Sequence, residues 1–216
     1  MDKVSRKALD IFIDVHQDTS NCFYIVPGGN TSRLFYKLLA KRIENWGNTQ
    51  FILSDERLSL EIKISNSVMV EETLLKNIEN DKRPELLKYN INGNQSEIEK
   101  ILKAKKPNLA ILGLGTDGHT ASLFPGNPEI FNDAADITIK TKNDWEDFYR
   151  ISLTFNYLLK AEKILFLVNG HEKSEALIEC LEGNFNPLQY PAQYIFRNYV
   201  NDIHVLCDET AAKYLA

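Results

Sequence analysis

The chain predicts an α/β fold, a mostly parallel sheet with helices on both faces, forming a three-layer αβα arrangement in a single domain over residues 1–216. Three observations predict it. Short apolar, β-branched runs alternate with stretches of helical spacing. Several of those runs end abruptly in glycine-containing or polar segments that lead into the next helix, as crossover connections of a parallel sheet do. A length of 216 residues with 44% hydrophobic residues is enough for one such core, with no repeat, low-complexity tract or linker to divide it.

The elements follow in order. Residues 1–18 place Val4, Ala8, Leu9, Ile11, Phe12 and Val15 at helical spacing. CFYIV (22–26) reads as a strand, followed by a Gly-Gly turn and a helix with Leu34, Phe35, Leu38, Leu39 and Ile43 on one side. QFILS (50–54) is a strand leading into a polar loop, after which Ser65 or Asn66 caps a helix running through Val70, Leu74, Leu75 and Ile78. A short run around 89–91, a helix with Ile98, Ile101 and Leu102, and the strand NLAIL (108–112) come next. DITIK (136–140) and RISLT (150–154) are β-branched runs, and ILFLV (164–168) reads as a buried strand. A helix with Ala176, Leu177, Cys180 and Leu181, the strand DIHVL (202–206) and a short closing helix complete the chain.

Composition narrows the partners. The net charge is -5 and the densest basic cluster is Lys103, Lys105 and Lys106, so no nucleic-acid partner is expected. The amino terminus lacks a signal-peptide core, and no run of about 18 apolar residues occurs, so neither export nor a membrane partner is expected and the setting is cytoplasmic. Cys22, Cys180 and Cys207 are scattered in apolar segments without a C-x-x-C, as small core residues in a reducing compartment are.

In an open parallel sheet, ligands bind outside the carboxyl ends of the strands, where loops feed helix amino termini. Four strands are followed by PGGNTS, DER, GLGTDGHTAS and NGHEK, and parallel strands would bring all four to one edge. Gly28, Gly29, Asn30, Thr31 and Ser32 open a helix with free backbone N–H groups and added side-chain donors; the plain alternative is a tight turn with an ordinary cap. Lys173 stands in the first turn of a helix, where the macrodipole disfavours a cation and a bound anion would relieve the cost. Arg57, at another strand end, offers a planar fork for phosphate or carboxylate, its alternative being a surface pair with Glu56 or Asp55. Together these favour a phosphorylated small molecule.

The stretch LAILGLGTDGHTASLFPG (109–126) contains a formal G-x-G-x-x-G at Gly113, Gly115 and Gly118. A dinucleotide fingerprint needs a full helix after the glycines and an acidic residue closing the next strand. Pro125 and Pro128 break such a helix, and the acidic candidate Asp136 begins a strand, so no nicotinamide or flavin cofactor is expected. Of four histidines, His16 and His204 read as structural and His171 as a cap or surface residue. Asp117 and His119 offer at most two metal ligands, and Ser122 lacks the glycines of a nucleophile elbow. That leaves His119 as a general base or acid, an imidazole titrating at about 6.5 in water. Asp117 either orients the imidazole, binds a hydroxyl or simply makes the turn before Gly118.

The order GGNT, DER with a later SN, LGLGTDGHTASLFPG, RISLT and L-V-x-G-x-E-K, through to PAQ and D-x-x-A-A, resembles the 6-phosphogluconolactonase family over nearly the whole chain. The related glucosamine-6-phosphate deaminases share the G-x-G-x-D-G-H core but continue towards Asn-Glu-Pro, where this chain has Leu123, Phe124 and Pro125 and no carboxylate. The chain departs from the family at Ser32, Asn108 and Ser59-Leu60, and its interval from DER to Ser65-Asn66 is one residue shorter. The resemblance implies a Rossmann-like sheet of the glucosamine-6-phosphate deaminase and ribose-5-phosphate isomerase type. It implies metal-independent hydrolysis of a small-molecule partner, the sugar-phosphate lactone 6-phospho-D-glucono-1,5-lactone, in the oxidative pentose phosphate pathway, without a cofactor. It also implies that Gly29, Asn30, Thr31, Arg57 and Lys173 hold the phosphate, that Asp55 and Arg150 lie near the sugar, that Gly118 also binds substrate, and that His119 and Asp117 are catalytic. The alternatives are a deaminase-like sugar-phosphate isomerase and a non-catalytic sugar-phosphate sensor.

Overall fold

A computed structural model describes residues 2–17, 21–90, 93–132 and 137–215. Helix α1 (Asp2–Gln17) precedes β1 (Phe23–Val26), α2 (Arg33–Arg42) and β2 (Gln50–Leu53). Then come β3 (Asp55–Leu58), α3 (Asn66–Thr73), β4 (Glu85–Leu87), α4 (Gln95–Lys103) and β5 (Leu109–Gly113). The chain continues through β6 (Thr138–Thr141), β7 (Tyr149–Leu153), α5 (Phe155–Leu158) and β8 (Lys163–Val168), and ends with α6 (Ser174–Leu181), α7 (Gln193–Asn198) and β9 (Asp202–Cys207).

Six strands form the expected parallel sheet in the order β4-β2-β1-β5-β8-β9, every neighbouring pair parallel. From β1 the chain winds outward to β2 and β4, then returns to β5 on the other side and winds out to β8 and β9. The reversal lies between β1 and β5, and this is where an open α/β sheet leaves a crevice at its carboxyl edge. The four central strands are buried on both faces: Tyr24, Ile25, Phe51, Ile52, Ala110, Ile111, Leu165 and Phe166 have no exposed surface. Helices α1, α2 and α3 pack against one another, as do α6 and α7. Continuous apolar runs without strict alternation are what such a doubly covered sheet requires.

A second sheet, β3-β7-β6, is antiparallel and was not separable in the sequence from the parallel one. The expected polar loop at DER is in fact β3, paired with β7 so that Asp55 faces Ser152 and Arg57 faces Arg150. Three of its four residues are charged: Asp55 meets the distant Ser122, whereas Glu56 and Arg57 bond to the segment 64–67 that follows the strand. DITIK becomes Thr138–Thr141, with Asp136 outside the described residues.

Three further expectations are corrected. The helix after Ser65 stops at Thr73 and tightens into a 3₁₀ turn at Leu75–Asn77, because the Asn77 amide donates to the carbonyls of Glu72 and Thr73. The short run around 89–91 is not part of a strand in its described residues; β4 lies earlier, at Glu85–Leu87 beside β2, and Ile91 is outside the described residues. The closing helix is instead a pair of turns, whose start the Asp208 carboxylate binds through Thr210 Oγ1 and the Ala211 N–H. His16 and His204 are satisfied as expected, His16 by the Tyr24 hydroxyl and the Asn45 carbonyl, His204 by Asp202. Among the described residues, no helix is long and apolar enough to cross a membrane.

Candidate active site

At the reversal point lies a cleft of about 310 Å³. Its walls come from the segments that follow β1, β2, β5 and β8: residues 27–32, Asp55 with Arg57, residues 112–116 with His119, and Lys173. The four polar segments therefore share one edge. Arg150, from the second sheet, closes the side next to Arg57.

The segment after β5 turns back on itself to present His119. The Gly115 N–H donates to the His119 carbonyl, Gly118 to Gly115, and Thr120 Oγ1 to Gly113. The imidazole lies against the Cα of Gly115 so closely that a Cβ there would stand 2.1 Å from Nδ1. Gly118 adopts φ +79°, a conformation that favours glycine, and packs under Tyr190. It thus shapes the turn and stands outside the cleft lining. Ala121, which does line the cleft, has φ 51°, a strained value for a residue with a Cβ and worth on the order of 1 kcal/mol. No helix follows these glycines, only a bridge between Thr120 and Leu123 and then turns, so the dinucleotide fingerprint is absent in structure too.

His119 Nδ1 is 2.5 Å from Asp117 Oδ1, which also accepts the His119 N–H at 3.1 Å. An ionised carboxylate only accepts, so Nδ1 carries the proton and Nε2 is left with a free lone pair. Burial acts to raise the Asp117 carboxyl, but the hydrogen bond and charge of His119 outweigh it and hold it below its ordinary value. Phe124 covers the imidazole with ring centroids 4.9 Å apart, in the neighbourhood where a deaminase-like sequence would bring a carboxylate.

The cleft also carries three cations, Arg57, Arg150 and Lys173. Arg57 Nη1 donates to the Ile64 carbonyl at 2.6 Å and to Asn66 Oδ1 at 2.7 Å, which holds the guanidinium in place while Nε is buried without a protein partner. The alternative, a side-chain pair with Glu56 or Asp55, is not formed among the described residues; only the Arg57 backbone N–H donates to Glu56 Oε1, at 2.8 Å. Successive strand residues point to opposite faces, so Asp55 and Arg57 face the cleft and Glu56 faces α3, where its carboxylate accepts the N–H groups of Asn66 and Ser67. Lys173 forms no ion pair among the described residues, and burial lowers its pKa, opposed by Glu172. An ammonium in that position gains from an anion.

Asp55, 6% exposed, accepts from Ser122 Oγ at 2.6 Å and lies 3.6 Å from Arg150 Nη1. Gly29, with φ +83°, Asn30 and Thr31 line the same cleft as His119. Ser32 was expected to offer a donor, but its hydroxyl is spent on the carbonyls of Gly28 and Gly29.

Sequence reasoning missed Glu146, which grips Arg150 through both carboxylate oxygens, and gave Asn66 only a capping role. Asn66 links Arg57 to the Asp55 carbonyl, and Gly28 is required beside it because a Cβ there would stand 1.9 Å from Asn66 Oδ1. The Ser-Asn pair was a usable signal for Asn66; nothing in the sequence flags Glu146.

A family model described as glucosamine-6-phosphate isomerases/6-phosphogluconolactonase matches residues 1–204. The chain is 34% identical over 174 residues to a 6-phosphogluconolactonase of Helicobacter pylori (strain J99), covering 78% of this chain and 75% of that one. It is 31% identical over 208 residues to a 6-phosphogluconolactonase of Aggregatibacter actinomycetemcomitans, covering 88% and 86%. Its fold matches a monomeric glucosamine-6-phosphate deaminase of the NagB superfamily with TM-score 0.80 at 19% identity, covering 97% of this chain and 95% of that one. The fold alone is therefore shared by enzymes of two reactions. The family match and these sequence relatives place the chain in the 6-phosphogluconolactonase family of enzymes, within the wider glucosamine-6-phosphate isomerase/6-phosphogluconolactonase group.

Proposed function

We propose that the cleft hydrolyses 6-phospho-D-glucono-1,5-lactone to 6-phospho-D-gluconate, the second step of the oxidative pentose phosphate pathway, with His119 as general base and then acid. The observation that carries this reading is that His119, paired with Asp117, lines the same cleft as Arg57 and Lys173. The phosphate takes the Gly29-Asn30-Thr31 turn, Arg57 and Lys173. Asp55 and Arg150 meet the sugar.

With the phosphate anchored there, the lactone carbonyl is held near His119 and orientation removes much of the barrier. Nε2 accepts a proton from water as its oxygen bonds to the carbonyl carbon. The tetrahedral intermediate then collapses, the bond to the ring oxygen breaks, and Nε2 returns the proton to that oxygen. Asp117 keeps the proton on Nδ1 throughout and stabilises the imidazolium.

The test is to give the protein 6-phospho-D-glucono-1,5-lactone and glucosamine 6-phosphate separately. Acid release above the lactone's spontaneous rate is expected, with no ammonia from the amino sugar. Ammonia release, or lactone binding without turnover, would overturn the reading.

A further inference from the structure

Glu146 lies in the loop between β6 and β7, and its carboxylate meets Arg150 fork on fork, Oε2 accepting from Nε at 2.8 Å and Oε1 from Nη2. This is the geometry in which an arginine best binds a carboxylate. The remaining contacts of Arg150 are looser: Nη1 is 3.4 Å from Ser122 Oγ and 3.6 Å from Asp55 Oδ2. Arg150 is 7% exposed and its guanidinium is flanked by the rings of Phe124 and Phe148 at 5.4 and 5.9 Å, so its position is closely set. Burial raises the Glu146 carboxyl, but the bond to Arg150 and the charges of Arg150 and Arg57 outweigh this and hold it below its ordinary value, so it is ionised at neutral pH.

The proposed reaction changes the substrate's charge in one place. The phosphate is the same before and after, but a neutral lactone carbonyl becomes a carboxylate. An arginine at the sugar with its fork open would accept that new carboxylate in two hydrogen bonds and retain the product. Here the fork is already filled from within the protein.

We propose that Glu146 is an internal competitor of the product: it keeps the Nε–Nη2 edge of Arg150 occupied, leaves Nη1 and the second Nη2 hydrogen as the remaining donors, and so weakens the hold of the cleft on the newly formed carboxylate. Glu146 is a positioning residue that acts through Arg150. The inference rests on the lactonase reading of the cleft.

The test compares the wild-type protein with Glu146→Gln, measuring the binding of two ligands by calorimetry and the turnover of the lactone alongside. One ligand is 6-phospho-D-gluconate; the other is glucitol 6-phosphate, with the same phosphate and carbon chain but no carboxylate. Replacing a charge-assisted internal partner with a neutral one should tighten 6-phospho-D-gluconate by about tenfold and leave glucitol 6-phosphate unmoved. Glu146→Ala, which frees the fork completely, should shift the same ratio in the same direction and covers the case in which the glutamine variant misfolds. Unchanged or weaker binding of 6-phospho-D-gluconate in the folded variants, or an equal shift for both ligands, would reduce Glu146 to a structural brace and overturn the proposal. Lactone turnover separates the two ideas: its absence in the wild-type protein overturns the functional reading, whereas turnover with an unchanged ligand ratio overturns this inference alone.

Discussion

Gly115→Ala isolates the placement of His119 from its chemistry. The residue contributes no side chain to the cleft, and its φ is not in the left-handed region, so alanine meets no backbone penalty there. The added Cβ would stand 2.1 Å from His119 Nδ1, 2.3 Å from Cε1 and 2.7 Å from Asp117 Oδ1. Ordinary contact begins at 3.4 Å, so the imidazole must retreat by more than about 1 Å, and its bond to Asp117 is disturbed in the same movement. A misplacement of about 1 Å at a reacting group costs on the order of 10²-fold, within the 10²- to 10⁴-fold that general-base catalysis supplies. The assay is initial-rate lactone hydrolysis by acid release, corrected for the uncatalysed reaction, with melting temperature as the check on folding. Turnover should fall by about 10²-fold at nearly constant KM, because the phosphate wall is formed by other segments. His119→Ala should fall at least as far, and the double variant should add little. A folded Gly115→Ala protein with near wild-type turnover would refute the role of His119 as the placed base.

Lys173→Ala and Arg57→Ala should each raise KM by roughly 10- to 100-fold, the weight of one charge-assisted hydrogen bond, and an unchanged KM in both would contradict the phosphate wall. Ser122→Ala should lower stability by about 1–3 kcal/mol by leaving the buried Asp55 carboxylate short of a donor, read as a shift in denaturation midpoint; no shift would mean that another group satisfies it. Asp117 titrates below its ordinary value of 3.8 in the folded protein, so its pairing with His119 adds stability above that pH and loses it as the pH falls through the lowered value. The difference in melting temperature between the wild-type protein and Asp117→Asn should therefore be full at neutral pH and vanish on acidification, and a difference constant with pH would contradict the pairing.

The parallel strands and their polar carboxyl ends were legible because both signals are local. An apolar run such as ILFLV shows burial within a few residues, and a glycine or charged segment directly after it marks the edge. The strand DERL was illegible for the converse reason. Its charges look solvated until β7, Ser122 and the start of α3 are brought alongside, and β7 and Ser122 lie far from it in sequence.

The sequence by itself determined the alternation of strands and helices and the residue types at each strand end, and it singled out His119 as the candidate for chemistry with Asp117 two positions away. Only the tertiary structure decided how the charges pair. It turned Glu56 to α3 and left Arg57 to Asn66 and the cleft, gave Asp55 to Ser122, and filled the fork of Arg150 with Glu146. The physical reason is range: hydrophobic periodicity is written along the chain within one element, whereas a buried charge takes whichever partner the fold brings within hydrogen-bonding distance.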